Sequence, residues 1–84
     1  MDTQQIIKTV NETLAEEFEL EAEQMLPEAH LINDLGLDSL DYVDMVIALQ
    51  NAFGMKLRDE QGVRDIRTLQ DIYNFIESKR DQLA

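Results

Sequence analysis

The sequence predicts an all-α protein: a small four-helix bundle of three main helices and one short helix, with a long first loop. Three observations carry this. The chain has 84 residues, enough for a single domain over 1–84. Apolar residues recur at spacings of three and four in three separate segments. One proline and three glycines are too few for the many tight turns of an all-β domain.

The first helix is expected over about 3–19. Ile6, Ile7, Val10, Leu14 and Phe18 form one face, while Lys8, Asn11, Glu12, Glu16 and Glu17 fall mostly on others. Asp2 and Gln5 stand at capping-box spacing at its start. A long connection follows over about 20–37, holding Pro27 and Gly36. Its apolar residues Leu20, Met25, Leu26, Leu31, Ile32, Leu35 and Leu37 are too many for a free linker, so it should pack or serve a function.

The second helix is expected over 39–53, with Asp38 as N-cap, Asp41 completing a capping box and Gly54 stopping it. Its apolar residues cover more than one face, whereas a bundle needs a stripe of roughly 100°. Val46, Leu49 and Phe53 are assigned to the core. Some of the remaining apolar residues should stay exposed. Residues 55–67 mix Met55, Leu57, Val63 and Ile66 with Lys56, Arg58, Arg64 and Arg67, and a short helix is expected at about 61–66. The last helix starts at the cap Thr68, with Asp71 closing the box. Leu69, Ile72, Tyr73 and Ile76 share a side, and Lys79 and Arg80 meet the C-terminal dipole.

Charge separates the two parts of the chain. The formal net charge is −11. Residues 1–55 hold twelve acidic side chains against Lys8 alone, whereas residues 56–84 are balanced, six against six. Such a field repels nucleic acid and anionic membranes and speeds encounter with basic protein surfaces, although acidity also serves plain solubility. The absence of cysteine excludes disulfides, thiolate metal ligands and a cysteine nucleophile. There is no signal-peptide pattern at the N-terminus. The longest nearly apolar run, 45–49, is far short of the roughly 20 residues of a membrane span. A cytoplasmic protein, monomeric and without stable membrane insertion, is expected.

The stretch Leu35-Gly36-Leu37-Asp38-Ser39-Leu40-Asp41-Tyr42-Val43-Asp44-Met45-Val46 resembles the prosthetic-group site of acyl carrier proteins, whose hallmark is Asp-Ser-Leu at the start of the second helix. The resemblance covers essentially the whole chain, including the long first loop, Phe53-Gly54 and the Thr68-Leu69-Gln70-Asp71-Ile72 helix start. It implies that a phosphopantetheinyl transferase esterifies Ser39 with 4′-phosphopantetheine from coenzyme A, and that acyl groups ride on the terminal thiol as thioesters. The chain would then be a non-catalytic carrier in fatty-acid or specialised lipid or polyketide-type biosynthesis. Placement at the first position of a helix suits this, because the hydroxyl points outward, near unpaired backbone N–H groups and the positive dipole end.

Leu40, Val43 and Ile47 fall on one stripe at i, i+3 and i+7, with Asp38, Asp41 and Asp44 beside it. The resemblance suggests a docking surface, acidic at its rim and apolar at its centre, for acyl-transferring, condensing and other pathway enzymes with basic patches. Plain core packing is the competing reading for these three apolar residues. Departures from a fatty-acid-type carrier lie at Gln50, Asn51 and Ala52, at Lys56-Leu57-Arg58, and at Arg64 and Arg67, and they suggest a carrier of a dedicated pathway.

Other residues point to no chemistry. His30 lacks ligand-spaced companions and reads as a loop residue, while Asp34, Asp38, Asp41 and Asp44 do not match calcium-loop spacing. Met25, Met45 and Met55 read as core filler. Two alternatives remain: an aminoacyl or peptidyl carrier, and an unmodified acidic adaptor that binds basic partners through the same surface.

Overall fold

The computed structural model describes residues 2–54 and 60–79. Among these residues are four α-helices: α1 (Thr3–Phe18), α2 (Ser39–Phe53), α3 (Glu60–Arg64) and α4 (Leu69–Ser78). A short 3-10 turn (Ala22–Gln24) lies in the first loop.

Each main helix starts where its side chains can satisfy the free amides of the first turn. Asp2 and Gln5, Asp38 and Asp41, and Thr68 and Asp71 form reciprocal capping boxes on α1, α2 and α4. Two of these helices end in the left-handed region. Gly54 closes α2 at φ 65°, a conformation a glycine adopts without steric cost. Glu19 closes α1 at φ 55°, where an L side chain is strained.

The core is built on α1, which packs against both α2 and α4. Ile6, Val10 and Leu14 of α1 meet Met45, Leu49 and Phe53 of α2 and Leu69, Ile72, Tyr73, Phe75 and Ile76 of α4 in one buried cluster. On α2 the inward stripe therefore runs Met45–Leu49–Phe53 at spacings of four. Val46, assigned to the core from sequence, is only partly buried, because it sits about 100° round the helix from Met45. The short helix is described from Glu60 and ends at Arg64, two residues before the expected end; Ile66 is buried beyond it. The expectations for Met55, Lys56, Leu57, Arg58 and Arg80 lie outside the described residues.

The first loop is part of the core. Met25, Ala29, Leu31, Leu35 and Leu37 are buried, whereas Leu26 and Ile32 face outward. Backbone bonds sew the loop to the start of α4: Leu31 N–H donates to the Arg67 carbonyl (2.9 Å), Leu69 N–H to Ala29 (3.2 Å) and Gln70 N–H to Pro27 (2.9 Å). His30 and Thr68 form a bridge at the same place. The loop then turns back on itself, with the Asp34 and Leu35 amides donating to the His30 carbonyl and the Asn33 amide to His30 Nδ1. Gly36, at φ 75°, allows the reversal that delivers the chain to Asp38.

Side-chain bonds among the described residues brace the bundle. Thr3 Oγ1 donates to Glu77 Oε1 (2.7 Å), linking the start of α1 to the end of α4. Tyr73 O–H donates to Asn11 Oδ1 (2.5 Å) between α4 and α1. Tyr42 O–H donates to the Ile66 carbonyl (3.0 Å), joining α2 to the α3–α4 connection.

The candidate attachment and docking site at the start of α2

Because the first loop is anchored on both sides, the first turn of α2 is held in one place. Asp38 is extended (φ −115°), and its Oδ1 accepts from the amides of Leu40 (2.9 Å) and Asp41 (3.0 Å). Asp41 Oδ2 accepts in return from the Asp38 amide (3.0 Å). Ser39 follows the cap directly, is the first helical residue, and is exposed.

This corrects one sequence expectation. The Leu40 and Asp41 amides are engaged by Asp38, so they are not unpaired donors for a phosphate on Ser39. With two carboxylates on the cap, the place is a poor receptor for a free anion. It suits a group attached by a covalent bond, because the serine is exposed and the turn carrying it is fixed.

The apolar stripe beside Ser39 is open. Leu40 is 75 % exposed, Val43 57 % and Ile47 50 %, so core packing is excluded for all three. Asp38 and Asp44 are exposed and Asp41 half-buried. The six expected residues therefore share the outer side of α2 and its cap.

Tyr42 was legible only as one of many apolar residues on this helix. It is half-buried, and its phenol reaches the Ile66 carbonyl. Burial pushes its pKa up; the Arg67 charge pulls it down and Asp71 pushes it up again, so these two groups lie within electrostatic reach. The signal available in sequence was a tyrosine on an otherwise aliphatic helix, since a buried phenol needs a partner for its hydroxyl. No group of side chains able to hold a metal ion occurs among the described residues. No described helix is long and apolar enough to cross a membrane.

Fold and site define a class: a small acidic helical domain that presents one exposed serine beside an apolar stripe, at the start of a helix. Comparison with known proteins narrows it. The family described as the phosphopantetheine attachment site matches residues 8–76. An acyl carrier protein of Thermosynechococcus vestitus is 34 % identical over 79 residues, covering 94 % of this chain and 96 % of the relative. One from Coprothermobacter proteolyticus is 36 % identical over 78 residues, covering 93 % and 94 %. Among solved structures, a candidate acyl carrier protein of Mycobacterium tuberculosis superposes with a TM-score of 0.79 at 20 % identity, over 88 % of this chain and 97 % of that one. At that identity it speaks for the fold alone.

The chain belongs to the acyl carrier proteins. It is a non-catalytic carrier whose covalently attached prosthetic group is 4′-phosphopantetheine. Proteins of this family interact with phosphopantetheinyl transferases and with the enzymes of their pathways.

Proposed function

We propose that residues 1–84 act as one carrier domain, that Ser39 bears the phosphopantetheine arm, and that Asp38, Leu40, Asp41, Val43, Asp44 and Ile47 form the surface on which partner enzymes dock. The observation that carries this reading is the exposure of Ser39 at the first position of a capped helix, next to three apolar side chains that are at least half exposed. In the attachment step the Ser39 oxygen forms a bond to the phosphorus that carries the pantetheine of coenzyme A. The nucleotide half departs, and the serine proton passes to a base on the transferase. The arm supplies a terminal thiol on which acyl groups are held as thioesters.

The protein contributes position and charge. Asp38 and Asp41 fix the first turn, so Ser39 is offered in one geometry. The acidic residues of the first part of the chain attract basic surfaces from a distance, and Leu40, Val43 and Ile47 supply the contact area once docked. A small footprint of this kind favours fast release, as a carrier that visits several enzymes in turn requires. The balanced charge of residues 56–84, in contrast to the acidity of residues 1–55, departs from a fatty-acid-type carrier and favours a dedicated pathway. A monomer in the cytoplasm fits this role.

Intact-mass measurement tests the reading. Incubation with a phosphopantetheinyl transferase and coenzyme A should add the mass of one arm, and Ser39→Ala should abolish the addition. An unchanged wild-type mass beside an active transferase would refute the attachment and favour an unmodified adaptor.

A further inference from the structure

Ser39, Tyr42 and Val46 stand at i, i+3 and i+7 of α2 and share a stripe distinct from the open Leu40–Val43–Ile47 stripe. Below Ser39 this second stripe turns inward. Tyr42 and Val46 pack half-buried against the core, as does Val63 of α3. Across from them lies Ile66, 3 % exposed, whose carbonyl receives the Tyr42 hydroxyl at 3.0 Å and Arg67 Nη1 at 3.2 Å. The same arginine nitrogen also donates to the Arg64 carbonyl, which holds the guanidinium across the α3–α4 connection. The side chain that follows Ser39 on this stripe is therefore a phenol, partly buried against the core and bonded across the gap between α2 and that connection.

We propose that Tyr42 is a specificity-determining residue for the carried group: its bond to Ile66 latches the seam between α2 and the α3–α4 connection, so that short or polar acyl groups stay in solvent and only a long alkyl chain displaces the phenol and enters. The inference rests on the attachment at Ser39 proposed above. Two features make the latch displaceable. The Ile66 carbonyl keeps Arg67 as a donor when Tyr42 leaves, so opening does not strand a buried acceptor. Val46 on the same stripe and Val63 of α3 are apolar and only partly buried against the core, so an alkyl chain can take up contacts there that a polar group cannot. The raised pKa of Tyr42, caused chiefly by burial, agrees with a phenol enclosed in the seam.

The experiment uses the full chain loaded enzymatically with acetyl, hexanoyl or decanoyl pantetheine, as wild type and as Tyr42→Phe, which keeps the ring and removes the latch. Thioester hydrolysis in mild base is the readout, compared with the free acyl-pantetheine. In wild type, acetyl and hexanoyl thioesters should hydrolyse at the free rate, with protection appearing only for decanoyl. In Tyr42→Phe, protection should begin at hexanoyl, growing by up to about fourfold for each further methylene admitted. A general loosening of the bundle would change hydrolysis without such dependence on length. Identical profiles in the two proteins, or a change independent of chain length, would overturn the latch. As a check that needs no variant, the Tyr42 ring resonances of wild type should shift with decanoyl and not with acetyl; no shift with either contradicts the proposal. A chain that takes up no arm at all sinks the Ser39 reading and this one with it, whereas a loaded chain with flat profiles sinks this one alone.

Discussion

Asp38 has two tasks in the proposed site, and a pair of substitutions separates them. Its Oδ1 caps two amides of α2, and its charge contributes to the acidic rim. Asp38→Ala removes both. Asp38→Asn removes the charge and leaves an oxygen that caps almost as well. Loss of an N-cap oxygen costs about 1 kcal/mol, within a range of about 0.5–2. A domain of 84 residues has a total stability of roughly 4–13 kcal/mol, so the cap is a sizeable share. With a urea slope of about 1 kcal/mol/M, Asp38→Ala should lower the unfolding midpoint by about 1 M. Asp38→Asn loses only the attraction between its charge and the helix dipole, about 0.3–1 kcal/mol, and gains some relief from Asp41 and Asp44, so its midpoint should move by less than about 0.5 M. Modification of Ser39 follows the other task. At low salt both variants should be modified about two- to fivefold more slowly than wild type, and at about 1 M salt, where the screening length is near 3 Å, Asp38→Asn should match wild type. Urea unfolding followed by circular dichroism, and transferase kinetics at two salt concentrations, read the two effects. Equal destabilisation by Asn and Ala would show that the acceptor oxygen is not what holds the turn. Wild-type kinetics for Asp38→Asn at low salt would show that its charge plays no part in docking.

Leu31→Ala should destabilise the fold by about 3 kcal/mol, whereas Leu26→Ala in the same loop should stay within about 0.5 kcal/mol, because the first is fully buried and the second 52 % exposed; comparable urea midpoints for the two would contradict a loop packed as described. Glu19→Gly should raise stability by about 0.5–1 kcal/mol by relieving the left-handed cap of α1, read as a higher urea midpoint. Tyr42 and Tyr73 both have pKa values raised above the ordinary 10.0, mainly by burial. The unfolded chain therefore loses these protons first; stability is full below about pH 10 and falls as pH rises through the folded values, and thermal melts of Tyr73→Phe should show a shallower alkaline decline than wild type. Leu40→Gln and Ile47→Gln should leave the urea midpoint within about 0.5 M of wild type yet weaken association with a partner enzyme by about tenfold, measured by titration calorimetry.

Local signals carried much of the fold. Capping boxes at Asp2, Asp38 and Thr68 mark the starts of α1, α2 and α4 because they act over four residues and need no distant partner. That some apolar side chains of α2 stay exposed followed from arithmetic, since the helix carries more apolar surface than a small bundle can cover; that these are Leu40, Val43 and Ile47, and not core residues, took the structure to decide. Tertiary detail was hidden. Val46 and Met45 are adjacent in sequence, and which of the two points inward depends on where α1 lies, which no property of α2 reports. Leu31 and Ile32 divide between core and solvent through backbone bonds to residues 67–70, and nothing local to the loop announces them. The engagement of the Leu40 and Asp41 amides by Asp38 was implicit in the capping box. Its consequence, a helix start closed to free anions, emerges only when those donors are followed to their acceptor.

That closure gives the acidic charge a meaning beyond solubility. A helix start that presented free amides would attract phosphate from any source, including unbound coenzyme A and nucleotides. Here Asp38 occupies two of those amides, of Leu40 and Asp41, and adds negative charge, so an anionic substrate gains little from the carrier itself. Any attraction that brings coenzyme A to Ser39 must come from the transferase. The same charge stands beside three exposed apolar side chains, which on a neutral protein would favour self-association. Repulsion between copies, each with a net charge of −11, opposes that contact, while a basic enzyme surface reverses the sign of the interaction and opens the same apolar stripe to binding. The stripe can thus remain apolar enough to dock without becoming indiscriminate, because charge decides which surfaces reach it.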